Sequence, residues 1–338
     1  MKQLFFSLVA LMCATMSYAQ SSLIATLSHD GEISTFYGNG ALREAHGAAE
    51  HGDIITLSSG SFTSVDITKA ITLRGAGMQV DTIAKTNPTI ITGDFKINIP
   101  DSVEQRLTME GLFHNYELRV ESNLKNATFI KNRFNKFYAY SNHGGIINLS
   151  TFIHCKITTT IEISATSASF MNCYLYNPKS SSRLEFTNCV VQFNGCNVFN
   201  NIQSSIFNNC IISQMNRLNS GGDRMHDTCS AFYCLGLSSN EDMFKNIVVN
   251  TTNYTSNNTG NIFKSYNAPT YTDDETFELT DEAKAKYLGS DGTEVGIHGG
   301  ALPFDPTPTN PQITKCNVAS KSTADGKLSV DIEVSAAE

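Results

Sequence analysis

Six short segments of this 338-residue chain repeat one pattern. ATFIKNRF, STFIHCKI, ASFMNCYL, LEFTNCVV, SIFNNCII and DMFKNIVV begin at Ala127, Ser150, Ala168, Leu184, Ser205 and Asp242. Aligned on Phe129, Phe152, Phe170, Phe186, Phe207 and Phe244, they bring Asn132, Cys155, Cys173, Cys189, Cys210 and Ile247 to one position. Two residues further on stand Phe134, Ile157, Leu175, Val191, Ile212 and Val249, and a polar or half-polar residue follows each. Period-two alternation of this kind marks a strand with one buried face. The first five phenylalanines lie 23, 18, 16 and 21 residues apart. Units so short enclose no core alone, so they must stack on one another.

The stacking has consequences for individual residues. Asn172, Asn188, Asn209 and Asn246 fall just before the fourth aligned position. Asparagine tolerates turn geometry, which predicts a ladder of side chains at one corner of the coils. Period and composition together exclude a helical solenoid and predict a parallel β-helix. Coils at the ~4.8 Å strand spacing would put Cys155, Cys173, Cys189 and Cys210 in an inward column. Side chains stacked in parallel do not reach the roughly 90° torsion of a disulfide, so the column reads as buried free thiols filling space. Ligands in a line do not make a tetrahedral metal site either. Cys229 and Cys234 fall outside the column and are left as the one candidate disulfide.

The N-terminal stretch from Gly40, GALREAHGAAEHGDIITLSSGSF, is followed by ITLRGAG from Ile71. With the repeats, it resembles the right-handed parallel β-helix, pectin-lyase-like superfamily over roughly residues 38–270. The resemblance implies an all-β fold whose open end is capped by an amphipathic helix bearing Leu42, Ala45, Ala48 and Ala49. It also implies a polysaccharide groove on the outer face of one sheet. Lyases of the superfamily use Arg or Lys as base, often with Ca²⁺, and its hydrolases use paired carboxylates. The motifs that carry those activities are missing here. Residues 115–183 contain no Asp, and their only acids are Glu117, Glu121 and Glu162. No cofactor is expected, with Ca²⁺ entering only if the chain is a lyase.

Residues 1–19 read as a signal peptide, with Lys2, an apolar stretch from Leu4 to Met16 and a Ser17-Tyr18-Ala19 cleavage site. Residues 20–300 read as the β-helix with its end caps, 301–311 as a Pro-rich linker and 312–338 as a hairpin tail. DEAKAKYLG after Thr280 predicts a short helix closing the second end of the solenoid. In the tail, alternating Leu328, Val330, Ile332 and Val334 follow an Asp325-Gly326 turn. A lone hairpin is marginal in water, so it must dock on its own chain or offer its edge to a protein partner. From Tyr287 onward the tail resembles the ending of secreted β-helix proteins from gut Bacteroidetes-type bacteria. The expected location is secreted, periplasmic or cell-surface, without a transmembrane segment.

The formal charge of −8 argues against a nucleic-acid partner. That charge is uneven. Residues 115–183 hold eight bases against three acids, whereas 270–338 hold thirteen acids against five bases. Two groups of candidate site residues follow. Arg133, Lys156 and Tyr174 fall one step past the column and point outward, and with Tyr176 they would make a basic-aromatic row for an anionic glycan. Asp223, Arg224, His226 and Asp227 lie on one glycine-hinged loop and could bind or deprotonate a sugar. The histidines show no metal-ligand spacing, and no metal site is expected. Three readings follow: a protein that binds polysaccharide or another surface polymer, a lyase or hydrolase acting on a uronic-acid glycan, and a structural or adhesive surface protein.

Overall fold

The computed structural model describes residues 23–82, 86–179, 181–194, 202–215, 225–237, 243–245, 247–256, 261–265, 275–309, 311–318, 321–322 and 325–335. Residues 1–19, read above as a signal peptide, and Cys196, Asp223, Arg224 and Asn246 lie outside these residues. The chain is a parallel β-solenoid with sheets of thirteen and twelve strands. One coil gives Thr128–Ile130 to the first sheet and Arg133–Ala139 to the second. Only Lys131 and Asn132 turn the corner between them. The helix Ala41–Ala48 covers the first coils with Ala41, Leu42, Ala45 and His46. Ala48, expected on that face, is exposed.

The aligned phenylalanines are true register partners through the fifth segment. Phe129, Phe152, Phe170, Phe186 and Phe207 pair in sequence in the first sheet. Their rings stack with centroids 4.5 to 5.2 Å apart and planes within 17°. The column continues below as Met109, Leu73 and Ile55.

The sixth segment departs from the alignment. Phe207 pairs with Ala231, and Ala231 with Asn250, so Phe244 has no place in the column. The coil in question is Ser230–Phe232 and Leu235–Leu237. It carries small residues, Ala231 and Gly236, where the others carry large ones. Phe244 is buried all the same, and a Cβ on Gly236 would lie 2.9 Å from its ring. Met243 and Phe244 thus fill the space that this coil leaves open, as a close-packed interior requires.

The cysteine column holds and is longer than expected. Cys155, Cys173, Cys189, Cys210 and Cys234 are buried and free. Each amide nitrogen of Cys155, Cys189 and Cys210 donates to the thiol one coil on, at 3.3 to 3.4 Å. The thiols of Cys155, Cys173, Cys189 and Cys234 donate to the carbonyls of Phe129, Phe152, Phe170 and Phe207 one coil back. Asn132 and Asn253 fill the same slot at the two ends. Asn132 accepts from the Leu112 amide and donates to the Met109 carbonyl, and Asn253 does the same for Cys234 and Ala231. The proposed Cys229–Cys234 disulfide is not formed. The two residues flank the strand Ser230–Phe232, and their thiols bond different carbonyls, Ile202 and Phe207.

The corner beside this column is left-handed. Lys131, His154, Asn172, Asn188, Asn209, Tyr233 and Thr252 all have φ between 49° and 54°. The asparagine side chains hold the C-terminal segment rather than stacking only on one another. Asn209 Oδ1 accepts from the Ser290 amide at 2.9 Å. Asn172 Nδ2 donates to the carbonyls of Ile297 and Gly299 at 3.0 and 2.8 Å. Further along, His154 bonds the Leu302 carbonyl, Lys131 pairs with Asp305, and Glu110 accepts from the Thr309 amide. Residues 288–309 therefore run back along the solenoid as a strap. Pro308, in the segment read as a linker, lies against Gly77 and Gly111.

The helix Asp281–Lys286 forms as expected, with Thr280 accepting from the Ala283 amide. It lies beside the last described strand of the second sheet, where the Tyr287 and Tyr254 rings meet at 5.5 Å. Its Ala283 and the following Tyr287 pack on the outer flank of the second sheet with Val190, Ile211 and Leu235. The strands Gln312–Val318 and Val330–Ser335 form an antiparallel hairpin. Among the described residues these two strands make a sheet of their own. Leu328, Val330, Ile332 and Val334 stand 50 to 59% exposed on it.

Candidate functional site

The row singled out from sequence is in register, since Arg133 pairs with Lys156 and Lys156 with Tyr174. It is not an open surface. Past Tyr174 the row becomes Val190, Ile211 and Leu235, an apolar strip. Phe277, Leu279, Val295 and Ile297 of the C-terminal segment cover it. Lys156 is 3% exposed, and its Nζ donates to Gln79 Oε1 at 3.2 Å and lies 5.3 Å from the Phe304 ring centre. Tyr174 is fully buried, stacked on Phe277 at 4.4 Å and hydrogen-bonded to Gln192. Tyr176 is buried too, and the Arg133 guanidinium sits 4.2 Å over the Phe113 ring. Three of the four residues are covered, and the row serves as the floor on which the C-terminal segment docks.

On the loop, His226 Nδ1 lies 2.8 Å from Thr228 Oγ1 and 3.0 Å from Asp227 Oδ1. The imidazole thus braces its own turn. Among the described residues no three His, Cys, Asp or Glu side chains converge as a metal site. No helix among them is long and apolar enough to cross a membrane.

A different constellation lies further along the same sheet. The strands Leu112–Val120, Arg133–Ala139 and Lys156–Ile163 pair so that Arg119, Tyr138 and Glu162 form one cross-strand row. Lys96 extends it on one side and Lys179 on the other. Leu118, Phe137 and Ile161 fill the alternate, inward positions and are buried. A shift of register at Phe134–Lys136 lets Asn135 and Lys136 both reach the surface, the usual effect of a bulge. Beyond it, Tyr138 and Tyr140 face outward two residues apart.

These residues line a depression of about 290 Å³, bounded by Glu117, Arg119, Val120, Glu121, Tyr138 and Tyr140. That is close to the lower end of small-molecule sites, about 300 Å³. The two tyrosine rings stack with centroids 5.1 Å apart and planes 17° from parallel. Arg119 Nε donates to Glu117 Oε1, and Lys96 pairs with Glu121 at 3.0 Å. Glu162 hydrogen-bonds with Tyr140.

The electrostatics fix which groups carry protons. Hydrogen bonding to Glu117 raises the Arg119 guanidinium above its ordinary value. Burial raises the Tyr138 phenol, with the Glu117 and Glu162 charges adding to it. Burial likewise raises Tyr140, with Glu162 the largest charge contribution. All three stay protonated at neutral pH. The depression therefore offers two aromatic surfaces, phenol and guanidinium donors, and carboxylate acceptors. Comparison with protein-family models, curated proteins and solved structures finds no match to this chain. The functional reading rests on the groove's own chemistry.

Proposed function

We propose that this chain is a polysaccharide-binding β-helix of the cell exterior, and that it binds through the groove around Tyr138 and Tyr140. The paired rings carry the reading. An aromatic side chain offers a large apolar surface with a polar tip, which suits a sugar that has C–H bonds on its faces and hydroxyls on its rim. The signal-peptide-like residues 1–19 support export. The coil repeat and the stretch from Gly40 support a place in the pectin-lyase-like superfamily, and the tail from Tyr287 supports an origin in Bacteroidetes-type bacteria.

Binding is favoured over catalysis. A lyase needs an Arg or Lys free to take a proton, but Arg119 and Lys96 are paired with Glu117 and Glu121. A hydrolase needs an acid and a carboxylate free for separate roles. Glu117 and Glu121 are already committed to Arg119 and Lys96. Incubation with uronic-acid polysaccharides is expected to give no absorbance at the unsaturated-uronate band and no new reducing ends, with or without Ca²⁺.

A glycan array probed with the wild-type protein and with Tyr138→Ala/Tyr140→Ala tests the assignment. The expected result is a polysaccharide signal that the double variant loses. A wild-type protein that binds nothing on the array contradicts it. A structural or adhesive role is the second reading, favoured by the exposed apolar row on the hairpin. A chain ending at Thr309 that keeps glycan binding but loses attachment to cells would assign that role to the tail.

A further inference from the structure

Taking the groove as the binding site, we infer that its ligand is an uncharged polysaccharide, not a uronic-acid polymer. The sequence-level excess of bases in residues 115–183 points the other way, so the position of each base matters. Lys131 is committed to Asp305 of the strap, Lys156 lies beneath the C-terminal segment, and Arg133 sits over Phe113. Lys125 bonds the Asp101 carbonyl. That positive charge is spent on the fold and does not reach the groove.

At the groove the cations are matched. Arg119 is held by Glu117, and Lys96 by Glu121. Lys136 stands beside Glu117 in the register, and Lys179 beside Glu162. With Asp94, whose charge also acts on Arg119, four bases face four carboxylates, leaving a nearly neutral field. An incoming uronate meets a guanidinium whose charge Glu117 already offsets, with the Asp94 and Glu121 charges acting on it as well. The uronate's own carboxylate would approach like charges with no net positive charge to offset them. A sugar hydroxyl meets no such obstacle. It donates to Glu117, Glu121 or Glu162 and accepts from a phenol or from guanidinium N–H groups that Glu117 does not use. The alternation of donors and acceptors along the groove fits a hydroxyl-lined ring and gives a carboxylate-lined one no unmatched cation.

The test is affinity electrophoresis of the full chain through gels containing galactomannan, xyloglucan or mixed-linkage β-glucan, set against polygalacturonate and alginate, at low and high salt. At least one neutral polymer should retard the wild-type protein about tenfold more strongly than either anionic one. The retardation should persist at high salt and vanish in Tyr138→Ala/Tyr140→Ala. In Glu117→Gln, which frees Arg119, retardation by polygalacturonate should rise about tenfold and be lost again on adding salt. Tyrosine-dependent binding that is as tight or tighter for the anionic polymers overturns the inference and leaves the groove in place. No retardation by any polymer, or retardation indifferent to the tyrosines, overturns the groove itself.

Discussion

The Cys189 thiol donates to the carbonyl of Phe170, one coil back, at 3.3 Å. The relationship recurs from Cys155 to Phe129, from Cys173 to Phe152 and from Cys234 to Phe207. A side chain in this slot must fill a small buried volume and satisfy backbone groups where the coil turns. Cysteine does both, being small, apolar and able to donate and accept weakly. Asparagine does it more strongly at Asn132 and Asn253. The column is thus a set of backbone hydrogen bonds as much as a filled cavity.

Truncating a slot residue should therefore cost more than its few atoms suggest. Cys189→Ala and Asn132→Ala are each expected to lower unfolding stability by about 1–3 kcal/mol, because buried backbone groups lose their partners. Urea unfolding followed by circular dichroism checks this. An unchanged midpoint in Asn132→Ala would show that the slot carries no such burden.

The same column predicts thiol chemistry. Burial pushes the Cys173, Cys189, Cys210 and Cys234 thiols well above their ordinary value, so in the folded protein they are unreactive at neutral pH. Titration with a thiol reagent should find them silent in the native protein and free after denaturation without reductant.

His114 should make the fold sensitive to acid. It is buried between Phe95 and Phe134, at 5.0 and 4.9 Å, and neither ring nitrogen has a hydrogen-bond partner. Burial lowers its pKa from 6.5 to about 3. Between those two values the unfolded chain binds the proton and the native chain does not, so stability falls as pH falls through that window and is fully present above it. His114→Leu is expected to gain about 1–3 kcal/mol at neutral pH. Its advantage should widen by up to about 1.4 kcal/mol per pH unit below 6.5. Unfolding midpoints of the two proteins across that range give the answer, and parallel curves would contradict it.

The strap should be a stability element. Gly296 has φ of +90°, and a Cβ there would lie 2.6 Å from Ile211. Gly296→Ala is expected to cost about 1–3 kcal/mol through backbone strain and that clash. Asn172→Ala, which removes both bonds to the strap, should speed proteolytic cleavage within residues 288–309. An unchanged cleavage rate would mean that the strap is held by other contacts.

How much of this the sequence disclosed can be followed residue by residue. The phenylalanine and cysteine columns were legible because each coil repeats them at nearly fixed offsets. Ile55, Leu73 and Met109 occupy the same column without the signature, so the earlier coils were not seen in the repeat. Phe244 has the chemistry of a column residue but fills a gap from outside the strand, a distinction that depends on which coil carries Ala231 and Gly236. The row Arg133–Lys156–Tyr174 was correctly registered and wrongly left open. What covers it lies more than a hundred residues downstream, at Phe277 and Ile297. The groove residues Lys96, Tyr138 and Tyr140 were missed, although a signal existed. Lys136-Phe137-Tyr138-Ala139-Tyr140 alternates on its own, but the bulge after Phe134 reverses its phase, and counting on from Phe134 alone would have placed both tyrosines inward.

The most direct measurement is equilibrium binding of the preferred polysaccharide to three proteins: wild type, Tyr138→Ala/Tyr140→Ala and Lys156→Met. The groove account predicts at least a tenfold loss of affinity for the tyrosine variant, about 1.4 kcal/mol. Its unfolding midpoint should stay close to that of wild type, since both rings are half-exposed. Lys156→Met should bind as wild type does. Equal affinity in the tyrosine variant, or a loss confined to Lys156→Met, would contradict the account.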